Sequence, residues 1–512
     1  MLAMTCRSFR FVVLLMLCQR EVAVRAQDPA LALEETIVKL VERIEPSVVS
    51  IARVKPAPSD SVQLAPFERM RRDKETPPTN PEDSDFQPND FGAGIIITAP
   101  GSDERLVLTN YHVVRGGPVF PSTSASDGTS LIIRFADRRR CDASIIAADP
   151  RCDLAVLRLH FEKPDIPPTD LKPLDWSASS PVRKGQFVVM LGNPHALARD
   201  GSASVGWGMI SNVTRRPLPW TKDGLSKVML YRLGNLLQID GRLNLGTSGG
   251  PVVNLKGELI GLTTSLAAVD GYDKSAGFAI PFDDLTRRIV QSLVAGQEVE
   301  YGMLGIVPTG VTPTEFRRLG IDAKQGSAAR ATAISRDSPA DRAGIQQDDI
   351  FLRVAGEPVL SEHDLMRLVG LHAPDTEIEL LVWRDRRGEP FPIKVKLGKW
   401  PVADDEGIIE TNPRFAPWRG LSVDYPTGRA KYSTRDFTQP PYRRAVVVIK
   451  VADETAAHAA GLQPGTFISH VNKTPVQTPA EFHAAIQSAT GPVTLRLHAD
   501  RPNEARTVIV RE

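Results

Sequence analysis

The sequence predicts a mainly β protein in which antiparallel barrels are followed by a duplicated smaller unit, and three observations carry that expectation. From Phe91 to about Thr264 short apolar runs recur (GAGIIIT, RLVLTN, SLIIRF, ASIIAA, LAVLRL, QFVVML, GWGMIS, PVVN and ELIGLTT), punctuated by Gly, Pro and Asp, with no helix-length segments between them. Such spacing builds antiparallel barrels rather than a parallel α/β sheet. The last third repeats itself: residues 337–365 align with residues 453–482 at an offset of 117, through Ala343-Gly344-Ile345 and Ala460-Gly461-Leu462. Two copies of a ~100-residue unit are tandem globular domains, not a solenoid. Finally, 512 residues with 42% hydrophobic and 24% charged content suit about three domains at ~150 residues each.

The elements follow in chain order. Arg7 and Arg10 precede the apolar run Phe11–Cys18, and Val24-Arg25-Ala26 follows, which is the order of an export signal cleaved before Gln27. Eight apolar residues fall short of the ~20 that cross a bilayer, so an anchor is disfavoured and no transmembrane helix is expected in the mature chain. Lipid attachment at Cys18 ranks below cleavage because Leu17 is larger than the small residue that such a site places there. Leu33, Ile37, Leu40, Val41 and Ile44 recur at helical spacing, and Pro46 ends that helix. Ser47–Val54 reads as a strand, and residues 55–90, rich in Pro, Asp, Glu and Arg, read as a long loop. A helix at about 282–296 closes the β-rich region, and 399–416 is the candidate linker between the repeats.

Composition excludes some partners. Sixty-two basic against 61 acidic residues leave a net charge of +1, with no excess to neutralise a phosphate backbone, so nucleic acid is not expected. Removing residues 1–26 takes away four arginines and one glutamate and shifts the formal charge to −2. Neither C-x-x-C nor H-x-x-x-H occurs, and no metal or cofactor is expected. The two cysteines beyond the signal segment, Cys141 and Cys152, are open to a disulfide or to burial as small apolar side chains.

Three side chains carry chemistry when taken together. Ser248 sits in Gly246-Thr247-Ser248-Gly249-Gly250-Pro251; a serine hydroxyl becomes nucleophilic with a base in reach and backbone N–H groups aimed at the developing oxyanion. Upstream, Leu108-Thr109-Asn110-Tyr111-His112 ends an apolar run on a histidine, and Asp153 heads the apolar Leu154-Ala155-Val156-Leu157. A carboxylate there needs a partner to be tolerated in the interior. The order His, Asp, Ser is that of chymotrypsin-type triads.

These residues, with LTNYHVV, DPRCDLAVLRL, GNPHALARDGSASVGWGMIS, QIDGRLNLGTSGGPVVNLKGELIGLTT and SAGFAIP, resemble the protease domain of the HtrA (Deg) family of trypsin-like serine proteases. The two repeats resemble the PDZ domains that follow it in that family. The resemblance implies a chymotrypsin-like double β-barrel over 27–298, with 55–90 as a regulatory-type loop, and two α+β PDZ domains at 299–398 and 417–512. It implies Ser248 as nucleophile, His112 as general base then acid, Asp153 as the group that holds the imidazole, and the N–H groups of Gly246 and Ser248 as oxyanion hole. Tyr301-Gly302-Met303-Leu304-Gly305-Ile306 and Trp418-Arg419-Gly420-Leu421-Ser422-Val423 lie where the family has its carboxylate-binding loops, at which a C-terminal peptide adds a strand to the sheet edge.

Thr247, Leu245 and Arg242 depart from the family pattern near the serine, and Arg242 bears on the specificity pocket; no Asp stands six residues before Ser248, so a preference for basic residues is not indicated. Segments 193–209 and 263–275 match the loops that shape the site. Arg419 and the Ser/Thr/Pro-rich insertion that follows distinguish the second copy. The resemblance implies an exported, periplasmic or envelope-associated, ATP-independent endopeptidase for unfolded or damaged proteins, assembled as a homo-trimer or multiple of trimers. The alternative is a non-catalytic chaperone or adaptor that uses the protease fold as a scaffold.

Overall fold

The computed structural model describes residues 29–54, 90–115, 129–161, 170–177, 180–193, 201–215, 235–241, 243, 246–264, 276–321, 325–402, 411–429, 431, 443–489, 491–498 and 506–511. The signal segment with Cys18, residues 55–89, Arg242, Leu245, residues 265–275, linker residues 403–410 and most of the insertion in the second repeat lie outside the described residues.

Helix α1 (Pro29–Ile44) lays Ile37, Leu40, Val41 and Ile44 against the core, and Pro46 stops it in a short 3-10 turn, Glu45–Ser47, since the residue before proline is steered out of the helical region. Strands β1 (Val48–Val54), β2 (Asp90–Thr98), β3 (Arg105–Thr109), β4 (Ser130–Phe135), β5 (Arg140–Asp149) and β6 (Leu154–His160) close a barrel in the order β1-β2-β3-β6-β5-β4, with a one-turn helix α2 (Tyr111–Arg115) after β3. A second barrel, β10-β11-β12-β9-β8-β7, closes from β7 (Phe187–Gly192), β8 (Ser204–Arg215), β9 (Leu236–Ile239), β10 (Pro251–Asn254), β11 (Leu259–Thr263) and β12 (Gly277–Pro281). Helix α3 (Asp284–Val294) follows, capped by the Asp283 carboxylate on Thr286 N. Ten of the twelve strands coincide with the apolar runs in the sequence; β9 (LLQI) and β12 (GFAIP) are the two that those runs do not include.

Continuous apolar runs, not alternating ones, make β2, β3, β7, β10 and β11 because both of their faces are buried, whereas β5 and β8 keep part of their length exposed. In β2, Ile96 points into the first barrel while Ile95 and Ile97 join Leu106, Leu108, Val189, Leu191, Val253 and Leu262 in a core that spans the seam between the barrels. In β7, Val188 and Met190 fill the second barrel. The seam is therefore a packed interface, not a hinge of loops.

The repeats fold as twin units. The first comprises β13 (Gly302–Met303), β14 (Ile306–Val311), α4 (Pro313–Arg318), β15 (Ala328–Ile334), α5 (Pro339–Arg342), β16 (Ile350–Val354), β17 (Glu357–Pro358), α6 (Glu362–Gly370), β18 (Glu377–Trp383), β19 (Pro390–Lys396) and β20 (Gly398–Lys399). The second comprises β21 (Leu421–Asp424), β22 (Val446–Val451), α7 (Ala456–Ala459), β23 (Phe467–Val471), β24 (Thr474–Pro475), α8 (Pro479–Gln487), β25 (Val493–Leu497) and β26 (Thr507–Val510). Their sheets run β14-β15-β16-β18-β19 and β21-β22-β23-β25-β26. Helix caps repeat at the sequence offset: Ser338 and Thr455 cap α5 and α7, and Ser361 and Thr478 cap α6 and α8. In both units the first long strand, β14 or β21, is a sheet edge.

Candidate active site

The seam brings His112 and Asp153 into contact and sets the serine turn of the second barrel against the barrel that carries them. His112 stands on α2, directly beyond β3. Asp153 ends the turn between β5 and β6, with φ +54°, a left-handed conformation that aspartate tolerates better than most residues. Its carbonyl accepts from Tyr111 N at 3.1 Å and from Asn110 Nδ2 at 3.0 Å, which ties the turn to the start of α2. The buried Asp153 carboxylate then accepts from His112 Nδ1 (2.9 Å to Oδ1, 3.0 Å to Oδ2), from the His112 backbone N–H (3.1 Å) and from Thr264 Oγ1 (3.2 Å). This geometry places the imidazole proton on Nδ1 and leaves Nε2 as the basic nitrogen. Nε2 is buried and makes no hydrogen bond, so the bond that would join it to Ser248 Oγ is not closed in this structure.

Ser248 is buried in the turn before β10, on the second barrel. Its carbonyl accepts from Ala93 N of β2 at 2.8 Å, so the serine turn is pinned across the seam to the barrel that carries His112 and Asp153. Gly250 N donates to Thr247 O at 3.0 Å, Gly249 N donates to Thr263 O at 2.9 Å, and Thr263 Oγ1 donates to Thr247 O at 2.5 Å. Thr247 thus serves the turn through its carbonyl. Gly246 (φ +94°) and Gly249 (φ +85°) adopt a backbone that side chains disfavour, and a Cβ on either would collide with the carbonyl oxygen of Asn193 or Ala93.

The sequence did not single out Thr264 or Asn110. Both hold Asp153, yet a threonine at a strand end and an asparagine before a helix carry no chemical signature of their own.

In the first repeat, Gly302–Met303 pair with Gly398–Lys399, and the carbonyls of Leu304 and Gly305 accept from Ala340 N (2.9 Å) and Ser335 N (3.0 Å). The loop thereby delivers Ile306 into the edge strand β14, beside α6. In the second repeat, Trp418 and Leu421 exchange backbone hydrogen bonds, Trp418 N to Leu421 O at 2.9 Å and Leu421 N to Trp418 O at 2.8 Å, so the loop at Gly420 closes on itself. Arg419 braces it, donating to Val510 O (2.8 Å) and Gly491 O (3.0 Å). A cavity of about 540 Å³ beside β21 and α8 is bordered by the linker, whose Phe415 ring stacks on His483 at 4.3 Å. Burial lowers the His483 pKa.

Cys141 and Cys152 are free and buried, in separate clusters. Burial pushes the Cys141 thiol up to about 12 and that of Cys152 well above the usual range.

A buried charge cluster lies where the three units meet. Lys399 Nζ reaches Asp424 (3.0 Å), Glu298 (3.2 Å) and Glu300 (3.3 Å); Arg429 pairs with Glu298 (2.9 Å) and Asp424 (3.0 Å). Burial drives the Glu298 carboxyl upward, but Lys399, Arg151 and Arg429 together hold it at about 2. Lys399, at the first position expected of the linker, is a buried member of β20.

Residues 92–262 match the trypsin-like peptidase domain and residues 330–384 the PDZ domain. The chain is 30% identical over 464 residues to the probable periplasmic serine endoprotease DegP-like of Ectopseudomonas mendocina (strain ymp), a match covering 88% of both chains. It is 29% identical over 468 residues to the protein of the same description from Pseudomonas fulva (strain 12-X), again covering 88% of each. A solved structure, the HtrA-type protease AlgW with tripeptide, is 24% identical with a TM-score of 0.48, covering 71% of this chain and 97% of that one. A trypsin-like domain built of two closed barrels, PDZ units behind it and likeness to these relatives over 88% of the chain place it in the DegP-like (HtrA) family of serine endoproteases.

Proposed function

We propose that this serine protease is an exported, periplasmic, ATP-independent endopeptidase that cleaves unfolded or damaged proteins with Ser248, His112 and Asp153. The observation that supports this best is the His112–Asp153 pair, half-buried at the histidine and buried at the carboxylate, which leaves Nε2 without a hydrogen bond on the seam that also carries Ser248. Ser248 Oγ attacks the scissile carbonyl while Nε2 takes its proton, and Asp153 stabilises the imidazolium. The N–H groups of Gly246 and Ser248 hold the oxyanion. His112 then protonates the departing amine, and a water activated by the same nitrogen releases the acyl group. A Ser–His bond that is open at rest and closes over substrate is compatible with this scheme.

Capture falls to the first PDZ unit. Its open edge β14 begins at the Met303–Ile306 loop, as strand addition by a C-terminal peptide requires. The second unit, with its loop at Gly420 and Leu421 self-bonded and Phe415 against α8, serves the junction. Assembly into trimers or multiples of trimers would raise capture through avidity; light scattering that shows a fully active monomer would refute this part.

Purified protein is expected to degrade casein and to be labelled by a fluorophosphonate at Ser248, and Ser248→Ala to lose both. A contaminant-free Ser248→Ala preparation that still cleaves casein would overturn the assignment. Casein binding without labelling of the wild type would favour the non-catalytic adaptor.

A further inference from the structure

Arg151 lies two residues before Asp153 and is buried together with Asp149. The pair is tightly built: Arg151 Nη2 reaches Asp149 Oδ2 at 2.6 Å, Nε reaches both oxygens at 3.0 Å, and the Arg151 backbone N–H donates to Oδ1 at 2.8 Å. Within the same turn, Cys152 Sγ donates to Asp149 O at 3.4 Å and Asp153 N donates to Pro150 O at 3.4 Å. The Arg151 guanidinium also reaches out of the turn. Nη2 donates to Val299 O at 2.8 Å, lies 3.6 Å from Glu298, and its carbon stands 5.6 Å from the centre of the Tyr301 ring.

Residues 298–301 carry the chain from the protease into the first PDZ unit. The Tyr301 ring is held from its other neighbour by Arg288, also at 5.6 Å, whose guanidinium donates to Glu300 O (2.8 Å) and to Gly370 O at the end of α6 (2.9 Å). Tyr301 O accepts from Trp400 N at 2.7 Å, and Gly302 N donates to His372 O at 2.8 Å. The peptide-capturing loop thus begins at the ring that Arg151 touches.

We propose that Arg151 is a positioning residue through which the seating of the protease–PDZ junction sets the carboxylate of Asp153 against His112. The inference rests on the triad reading and goes beyond it. One planar, five-donor group joins both sides: Nε and Nη2 form the fork on Asp149, and the same Nη2 also donates to Val299 O at the junction. A shift of residues 298–301 therefore bears directly on the turn that ends at Asp153. A displacement of about 1 Å in a catalytic group costs as much as ~100-fold in rate. A longer carboxylate–imidazolium contact stabilises the imidazolium less.

The test uses the full chain and a chromogenic peptide. Arg151→Lys keeps a charge beside Asp149 but loses the fork and the reach to Val299, so a residue that merely neutralises Asp149 would be rescued by lysine. The expected result is a fall in kcat of about 10- to 100-fold, KM within twofold, and an acid limb of the kcat/KM profile displaced toward lower pH. The double variant Asp149→Asn/Arg151→Met removes the pair without stranding a charge and is expected to show the same pattern. Tyr301→Leu, changing only the junction side, is expected to shift the same limb. Wild-type kcat and acid limb in Arg151→Lys and the double variant would overturn the proposal, as would loss of folding in both. An unshifted Tyr301→Leu would overturn the link to the junction. Full activity in Asp153→Asn would instead sink the triad reading beneath it, whereas an inactive Asp153→Asn beside a normal Arg151→Lys would sink this inference alone.

Discussion

Replacing Gly246 by alanine separates an oxyanion turn from an ordinary bend. The residue has φ +94°, a conformation that costs an L side chain roughly 1–2 kcal/mol. Its Cβ would lie 2.8 Å from Cδ2 and Cε2 of the Phe91 ring and closer still to the Asn193 carbonyl oxygen. Because backbone cannot swing aside like a side-chain end, relief demands a displacement of roughly 1 Å, and such overpacking adds about 1–3 kcal/mol. The expected loss of stability is therefore about 2–5 kcal/mol, read as a lowered unfolding midpoint. The N–H that moves is the proposed oxyanion donor, and removing one such donor lowers kcat by ~10²–10³. The assay is steady-state peptide hydrolysis per active site, with sites titrated by fluorophosphonate burst so that unfolded molecules do not count. KM is expected to change little, since the donor acts on charge that develops after binding. A Gly246→Ala protein that keeps kcat within threefold of wild type per titrated site would refute the assignment of this N–H to the oxyanion.

Three further outcomes are expected. Asp153→Asn offers Nδ1 an amide that can turn its NH2 toward the ring and favour the wrong tautomer; kcat should fall by ~10⁴ with KM near wild type, and a loss under tenfold would contradict the tautomer argument. Phe415→Ala removes the ring from His483, and the lowered pKa of that imidazole should rise toward its ordinary value, followed by NMR titration of the His483 ring protons. On acidification, Glu298 has a pKa depressed to about 2 in the fold, so its contribution is complete above the ordinary glutamate pKa and is lost as pH falls from about 4.5 to about 2. Stability measured by thermal denaturation should therefore owe no decline to this group between pH 7 and 5, and a Glu298→Gln variant should lose the part of the acid sensitivity that lies below pH ~4.

The barrels were legible in the sequence because most of their strands are buried on both faces and so read as apolar runs, of which SLIIRF and QFVVML are examples. The twin C-terminal units were legible because caps and turns recur at one offset. What escaped was tertiary. Thr264 holds Asp153 from 111 positions away, and the cluster of Arg151, Glu298, Lys399, Asp424 and Arg429 assembles residues from three units, each of which reads alone as an ordinary surface charge. The self-closed loop at Gly420 likewise depends on backbone pairing that composition does not encode. The His, Asp and Ser candidates could be named early because each stands in a telling sequence context, beyond the end of one apolar run, at the head of another and between glycines, while the side chains that aim them have no such mark.

The two buried thiols have a consequence for the handling of client chains. In the exported setting proposed above, client polypeptides still exchange their sulfur links, and exchange proceeds through thiolates. With its thiol pushed up to about 12, Cys141 stays protonated at neutral pH, and Cys152 is sealed in the barrel seam. Neither offers a ready partner for a mixed disulfide, and among the described residues the barrels are not cross-linked. A protease built this way can meet half-oxidised substrates without becoming cross-linked to them.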